Sequence, residues 1–491
     1  MRRTAFLALV LLVFVALCVA GPSLAAENTG PGEDTFEEIF HHIQAIHISN
    51  PEPETLYRGA IDGLIQSLND PYAEYLPPAE LTDFNEYLEG NYVGVGIHLQ
   101  PGPKYPKVVE TIENTPARAA DIQPGDLVVN VDGMDLSEEP LGKVVQKIRG
   151  PEGTRVRLTI RREGAADFEI ELVRSSINVP TVSGKMLDDG FGYIRISTFG
   201  NHTGGEFKKV LNGLIRQGAK GLILDLRDNP GGILQTAVEI TGCFIEPGRV
   251  VVRVVDRNGQ GMEYRTEETP TGKGLPLAVL VNSGSASASE ILAGALKDYG
   301  IATIIGGRTY GKGTVQVVVP LQAGGALKLT SARYHTPKDR VIEGTGLSPD
   351  IQVLIPGLQV PAAQRFLKQP EKNTVLFETD KYETVVNGSA VLHFETVIQR
   401  SGVTYLPLRF ACEALGYRVD WDAVDDSVKI TGYGSEVIFY PGEGRAVKEG
   451  QDLSGVEPLL FEEGTAYIPV SDLSLLNIQV RFDDQKICIE K

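Results

Sequence analysis

Ser287 and Lys312 are the two residues of this 491-residue chain whose types and surroundings could build a hydrolytic centre. A serine hydroxyl attacks a carbonyl only when a neighbouring group takes its proton, and a lysine can be that group when burial lowers its pKa toward the working pH. The serine stands in Ser283-Gly-Ser285-Ala-Ser287-Ala-Ser289-Glu-Ile and the lysine in Gly311-Lys312-Gly-Thr-Val-Gln316. Four serines (Ser283, Ser285, Ser287, Ser289) compete as nucleophile, and a Ser/Ala run before a helix can equally be a capping segment. Histidine is the usual base beside a catalytic serine, but His202 and His335 are the only histidines of this region and neither sits in a motif. Two rival motifs fail. Gly306-Gly-Arg-Thr-Tyr-Gly311-Lys312 nearly spells a phosphate loop, yet Gly313 follows where a magnesium-binding Ser or Thr is needed. Gly94-Val-Gly96 lacks the third glycine of a dinucleotide fingerprint. No group of Cys, His and carboxylates has metal-ligand spacing, so neither a metal nor another cofactor is expected.

The pair needs rigid elements to hold it. The apolar run 275–281 reads as a buried strand, 287–299 as a helix and 301–305 as a further strand. This places Ser287 in a strand-turn-helix whose outward N–H groups can stabilise an oxyanion. Buried strands at 191–196, 221–226 and 250–255 alternate with helices at 206–216 and 234–244, which implies a layered α/β core over 177–357. Upstream, apolar residues at helical spacing over 34–68 predict two helices split at 51–53. From 83 to 175 the pattern changes to short strands, with Val156, Leu158 and Ile160 alternating with polar residues. A link containing Pro, Gln and Lys follows the core. Beyond it the chain repeats itself: Gly402-x-x-Tyr405-Leu-Pro407 recurs as Gly464-x-x-Tyr467-Ile-Pro469, and Val385-x-x-Gly388 as Val447-x-x-Gly450.

Composition sets the bounds. Hydrophobic residues make up 42% and charged residues 22%, an ordinary globular balance. The formal net charge of −18 argues against nucleic acid as a partner. Arg2-Arg3, an apolar run over 5–20 and Ser23-Leu-Ala25 have the three regions of a secretory signal, cleaved after Ala25 or kept as an anchor. The expected location is extracytoplasmic: secreted, periplasmic or envelope-associated. Cys243, Cys412 and Cys488 would remain, and the last two could pair or stay as buried thiols.

Asn229-Pro-Gly231-Gly232, Ser285-Ala-Ser287-Ala-Ser-Glu-Ile, Lys297-Asp298-Tyr-Gly, Gly311-Lys312-Gly-Thr-Val-Gln316 and Glu343-Gly-Thr-Gly-Leu-Ser-Pro-Asp350 together resemble the carboxyl-terminal processing (tail-specific) serine peptidases, in the family order and over roughly 30–357. The resemblance implies Ser287 as nucleophile, Lys312 as general base and Gln316 as the residue orienting the lysine. Ser285 and Ser289 become scaffold. Gly231 or Gly232, with the amide of Ala288, would form the oxyanion hole, and Asp298 suits a structural cap as well as an acidic partner. Tyr92-Val93-Gly94-Val95-Gly96-Ile97, the segment 122–133 and a helix around 144–148 resemble a PDZ domain, which binds carboxyl termini by strand addition. The implied partners are proteins or peptides with apolar free C-termini. Arg149 is a candidate relay between that domain and the active site, against the plainer reading of a surface arginine. The C-terminal repeat resembles the copper amine oxidase N-terminal-like, or stalk, domain, which need not hold copper and suggests cell-wall or envelope contact. The N-terminal helices would supply dimer contacts, as in the family, or simply pack.

The expected architecture is multidomain α/β and α+β: a crotonase/Clp-like α/β peptidase core with an inserted mainly-β PDZ domain, N-terminal helices and a C-terminal α+β repeat domain. Its expected parts are a signal at 1–25, helices over 26–82, PDZ domain over 83–176, peptidase core over 177–357, linker over 358–381 and stalk domain over 382–491. The implied function is an extracytoplasmic serine endopeptidase that selects substrates by their C-termini. A non-catalytic PDZ and stalk adaptor, and a non-proteolytic envelope hydrolase, are the alternatives.

Overall fold

The computed structural model describes residues 32–491 except 380, 442, 484 and 485, so the expected signal lies outside the described residues. Residues to Tyr75 and residues from Leu76 form two compact units. The first contains the helices Glu33–Ile46 and Pro53–Gln66. Pro53 starts the second helix, where its missing N–H costs nothing. Phe40 stacks on Tyr57 with ring centroids 4.5 Å apart, while Ile39, Ile46 and Leu64 face outward.

The second unit is built around a six-stranded sheet. Val182–Met186 runs antiparallel to Gly192–Ile196, and from there Leu222–Asp225, Leu277–Val281, Ala302–Gly306 and Ile351–Gln352 add in parallel. Leu277–Val281 is buried throughout, the continuous apolar run demanded of a strand covered on both faces. The helices Thr203–Arg216, Leu234–Gly242 and Ala288–Asp298 complete the layers. The strand expected at 250–255 belongs elsewhere. Val250–Asp256 pairs antiparallel with Gly261–Arg265 and Ala326–His335 in a second sheet, because only its first three residues are buried and the rest are half-exposed. Thr314–Pro320 pairs with Ala326–His335 in that same sheet, with a bulge between Val315 and Gln316.

The PDZ domain is a sheet of Ile97–Gln100, Lys107–Thr111, Leu127–Val131, Arg155–Arg161 and Phe168–Val173 with the helix Leu141–Ile148 against it. Val156, Leu158 and Ile160 point into its core while Arg155, Arg157 and Arg161 face outward, as strand alternation requires.

The expected linker is structured. Pro356–Lys368 is a helix whose Leu358, Ala362 and Ala363 join one hydrophobic cluster with Ile223, Ala278 and Leu280 of the central sheet and Phe410 and Leu415 of the C-terminal domain. The spacing of those three residues makes an apolar helix stripe that Gln359 and Pro361 between them obscure. Thr374–Glu378 then pairs with Lys486–Glu490, so the C-terminal domain begins before residue 382. In that domain the repeat becomes a local two-fold: Val403–Pro407 pairs antiparallel with Thr465–Pro469, and Leu406 lies opposite its own repeat equivalent, Ile468. Cys243, Cys412 and Cys488 are all free thiols.

Candidate active site

Three adjacent parallel strands deliver the chemistry at their carboxyl ends, where open α/β sheets place their ligands. Leu222–Asp225 leads to Gly231 and Gly232, Leu277–Val281 to Ser287, and Ala302–Gly306 to Lys312. Ser287, Lys312, Gln316, Gly231 and Gly232 line one cavity of about 360 Å³, together with Phe84, Leu88 and Lys328.

Ser287 caps the helix Ala288–Asp298 with φ 54° and ψ −115°. This backbone region is almost reserved for glycine, so a serine there carries strain of about 1–3 kcal/mol that surrounding contacts must offset. The largest of those contacts is Glu290, a residue the sequence reading did not single out. Its fully buried carboxylate accepts the Ser287 N–H at 2.9 Å and the Lys312 N–H at 3.0 Å on one oxygen. The other oxygen accepts the Gly311 N–H at 2.8 Å and the Thr309 hydroxyl at 2.5 Å. One side chain therefore ties the backbone of Ser287 to that of Lys312. Burial pushes the Glu290 carboxyl above its ordinary value against the pull of those four donors. Tyr334 repeats the tie from the other side: its buried hydroxyl donates to the Lys312 carbonyl at 2.5 Å and lies 3.3 Å from the Ser287 carbonyl. The pattern Ser287-x-x-Glu290, a capping-box signature, could have pointed to Glu290. Nothing local in the sequence marks Tyr334.

The competing serines have other work. Ser285 Oγ donates to the Leu226 carbonyl at 2.7 Å and Ser289 Oγ to the Asn229 carbonyl at 2.9 Å, both buried. Asn229 is itself fully buried and spans the site, with its amide on the Ile196 carbonyl and its oxygen accepting the Gly231 N–H at 2.9 Å. A methyl at Gly231, where φ is 100°, would lie 2.7 Å from the Ala286 carbonyl, 2.8 Å from Ser287 Cβ and 2.9 Å from the Ala288 nitrogen. At Gly232 a methyl would meet the Phe199 carbonyl at 2.3 Å. Only glycine lets these turns close on each other. Gln316 Nε2 donates to Thr314 Oγ1 at 2.9 Å and to Thr330 Oγ1 at 3.4 Å. Asp298 holds a loop: it accepts from the Thr336 hydroxyl and the Lys338 N–H and pairs with Arg340.

Beneath the glycine turn Asp225 is fully buried and gripped by Arg227, whose Nη2 lies 2.6 Å from Oδ2, and by the Tyr193 hydroxyl at 2.5 Å. Burial alone would raise the Asp225 pKa, but the Arg227 hydrogen bonds and charge outweigh it and hold the carboxyl below its ordinary value of 3.8. Arg227 also reaches the Pro356 carbonyl and Gln359, both at 3.1 Å.

A second cavity, of about 310 Å³, lies between the PDZ strand Ile97–Gln100 and the helix Leu141–Ile148. Gly94, Val95, Gly96 and Ile97 line it, with Leu99, Val145 and Ile148 opposite or beside them. Tyr92 and Val93 instead lie on the strand Asn91–Gly94, paired with Ser175–Asn178. Arg149 stands at the groove and reaches Asp83 at 3.2 Å and Glu86 at 3.7 Å on the helix Pro78–Glu89, the helix that supplies Phe84 and Leu88 to the active-site cavity.

The model of peptidase family S41 matches residues 190–353, that of the PDZ domain residues 107–162, and that of the copper amine oxidase N-terminal domain residues 385–490. A probable CtpA-like serine protease of Staphylococcus saprophyticus is 35% identical over 324 residues, 66% of this chain and 66% of that protein. Its counterpart in Staphylococcus haemolyticus is 34% identical over 364 residues, 72% of this chain and 73% of that protein. The chain belongs to peptidase family S41, among the CtpA-like serine proteases. Among solved structures, the photosystem II D1 C-terminal processing protease is 29% identical and covers 65% of this chain and 91% of its own, with a TM-score of 0.39. The copper of the third family's name finds no fitting ligand set among the described residues of this S41 peptidase. Among the described residues no three His, Cys, Asp or Glu side chains are placed to hold a metal. His393, the only histidine after residue 370, is buried with Nε2 on the Thr384 hydroxyl at 2.6 Å.

Proposed function

We propose that this S41 peptidase is an extracytoplasmic endopeptidase in which Ser287 attacks a peptide carbonyl, Lys312 is the base and Gln316 orients the lysine amine. The observation that carries this reading is the single cavity shared by Ser287, Lys312, Gln316 and the two glycines. The neutral lysine amine takes the Ser287 proton as Oγ bonds to the carbonyl carbon. The resulting ammonium returns that proton to the leaving amine as the C–N bond breaks. Water then repeats the sequence on the acyl-enzyme, releasing the new C-terminus and restoring the hydroxyl. The oxyanion is held by the amides of Ala288 and Gly232. Gly232 is preferred because the Gly231 N–H is already given to Asn229.

Substrates enter by their C-termini. An extended peptide added beside Ile97–Gln100 presents alternate side chains to the groove, so the last residue and the one two before it should be apolar to match Leu99, Val145 and Ile148. Its carboxylate faces the backbone of Gly94 to Ile97. Arg149 then relays occupancy to the cavity through its ion pairs with the helix Pro78–Glu89. The N-terminal helices pair two copies through their exposed apolar residues, and the C-terminal domain contacts the envelope. The test is labelling by a fluorophosphonate probe alongside cleavage of one protein bearing a free or an amidated apolar C-terminus. Labelling with preferential cleavage of the free form supports the reading. Labelling without any peptide cleavage would favour an ester or amide hydrolase, and neither event a non-catalytic adaptor.

A further inference from the structure

A further cavity, of about 430 Å³, belongs to neither the peptidase site nor the PDZ groove. It lies in the C-terminal domain, within the size range of small-ligand sites. Trp421, the only tryptophan of the chain, lines it from the strand Arg418–Asp422, and Phe461 from the strand Leu460–Glu462. Both rings are 46% exposed, and they meet edge to face with centroids 6.2 Å apart. Leaving two large rings half in water is unfavourable unless something covers them.

Polar groups share the cavity: Glu395, Arg409, Asp420 and Thr465. Asp420 and Arg409 are matched from within the protein, whereas Glu395 has the buried His393 ring at 3.7 Å as its charged-group partner. Arg418 grips Asp420 with Nε and Nη2 at 2.6 and 2.9 Å, and Arg409 donates to the Val419 carbonyl at 2.7 Å and to Glu413 at 3.3 Å. A polyanion meets two carboxylates and a guanidinium already committed to its neighbours. A polycation finds one unmatched carboxylate, Glu395, beside the guanidiniums of Arg409 and Arg418, the second of which already neutralises Asp420. A wholly apolar occupant would leave the Glu395 carboxylate, whose partner is the buried His393 ring 3.7 Å away, facing hydrocarbon, at a cost that outweighs covering the rings. What suits the lining is a neutral ring with an apolar C–H face and hydroxyls at its edge. The face covers Trp421 and Phe461, and the hydroxyls, each both donor and acceptor, bond carboxylate oxygens on one side and the Thr465 and Arg409 groups on the other.

We propose that the cavity formed by Trp421, Phe461, Glu395, Arg409, Asp420 and Thr465 is a binding site for uncharged glycan chains. This site is independent of the peptidase chemistry and would give envelope contact by the C-terminal domain a chemical basis.

Because the chain has one tryptophan, emission excited selectively from tryptophan reports on this cavity. The intact protein is titrated with a soluble oligomer of β-linked N-acetylglucosamine, with a cello-oligosaccharide and with pentalysine, while peptide cleavage is followed on the same sample. A saturable change in Trp421 emission with at least one oligosaccharide and none with pentalysine is expected. Phe461→Ala should weaken that binding at least tenfold with peptide cleavage unchanged. If Phe461→Ala does not fold, Glu395→Gln carries the same expectation, since that carboxylate is partly exposed and tied to little else. The absence of a saturable change with either sugar overturns the proposal, as does a response to pentalysine, or binding that survives both substitutions. Loss of cleavage with sugar binding intact would count against the peptidase reading and leave this one standing.

Discussion

The turn at Ser287 and the PDZ groove are both built where a glycine-bearing loop meets a helix, yet they are held in opposite ways. Around Ser287 the holding groups are buried and polar: Glu290, Tyr334, Asn229, Ser285 and Ser289 each bond backbone that must not move. Around the PDZ groove the facing groups are apolar, Leu99, Val145 and Ile148, and the nearby polar tie is the partly exposed pair of Arg149 with Asp83. The difference follows from the task. A displacement of an ångström can cost a reaction about a hundredfold, whereas an apolar groove recognises by area and tolerates small shifts.

That contrast can be broken most severely at the chemistry itself. Ser287→Ala and Lys312→Ala should each lower kcat by on the order of 10⁴-fold with thermal unfolding almost unchanged. Lys328→Ala, removing the other lysine of the cavity, should keep kcat within a few-fold. A lysine at 328 that proves essential would move the base away from the Glu290 network.

The next effect is on stability. Asp225→Asn leaves Arg227 partly buried without its anionic partner and should cost about 3–5 kcal/mol by denaturant unfolding. The Asp225 pKa is lowered on folding, so its contribution is present above the unfolded value near 3.8 and is lost as pH falls. The wild-type advantage over the Asn variant should therefore shrink on acidification. An advantage constant from neutrality to pH 3 would show that the pair does not supply it.

Glu290→Gln sharpens the comparison further. An amide cannot accept four donors, so the backbones of Ser287 and Lys312 should loosen and kcat should fall about a hundredfold with KM little changed. Burial opposes the carboxylate's charge, and the substitution sheds that penalty, so activity should fall further than stability. Steady-state kinetics beside a melting curve measure both.

In the groove the effects should be smaller and of the other kind. Val145→Asp should raise KM for free apolar C-termini about tenfold, leave kcat in place and not affect amidated substrates. A matching fall in kcat would mean that groove and cavity are more tightly coupled than the Arg149 contact implies.

The same contrast explains what could be read in advance. Periodicity exposed the buried strand Leu277–Val281 and the alternation of Val156, Leu158 and Ile160, because burial of one or both faces leaves a mark on every residue or every second one. Glycine motifs located Gly231, Gly232 and the loop lining the groove, since close backbone approach admits no other residue. Long-range polar ties leave no such mark. Tyr334 reaches Ser287 and Lys312 from a different sheet, and Asn229 reads as part of a turn until its five bonds are seen. The helix Pro356–Lys368 escaped because Pro356, Pro361 and interspersed polar residues break its apolar pattern while Leu358, Ala362 and Ala363 carry its packing.

The central claim is that Ser287, strained at the head of its helix, is the nucleophile. Peptide mapping by mass spectrometry of the intact protein after reaction with a fluorophosphonate tests it most directly. The account predicts a single stoichiometric adduct on Ser287, formed as peptide cleavage is lost and absent from Lys312→Ala. An adduct on Ser285 or Ser289, or full inactivation with Ser287 unmodified, would contradict it.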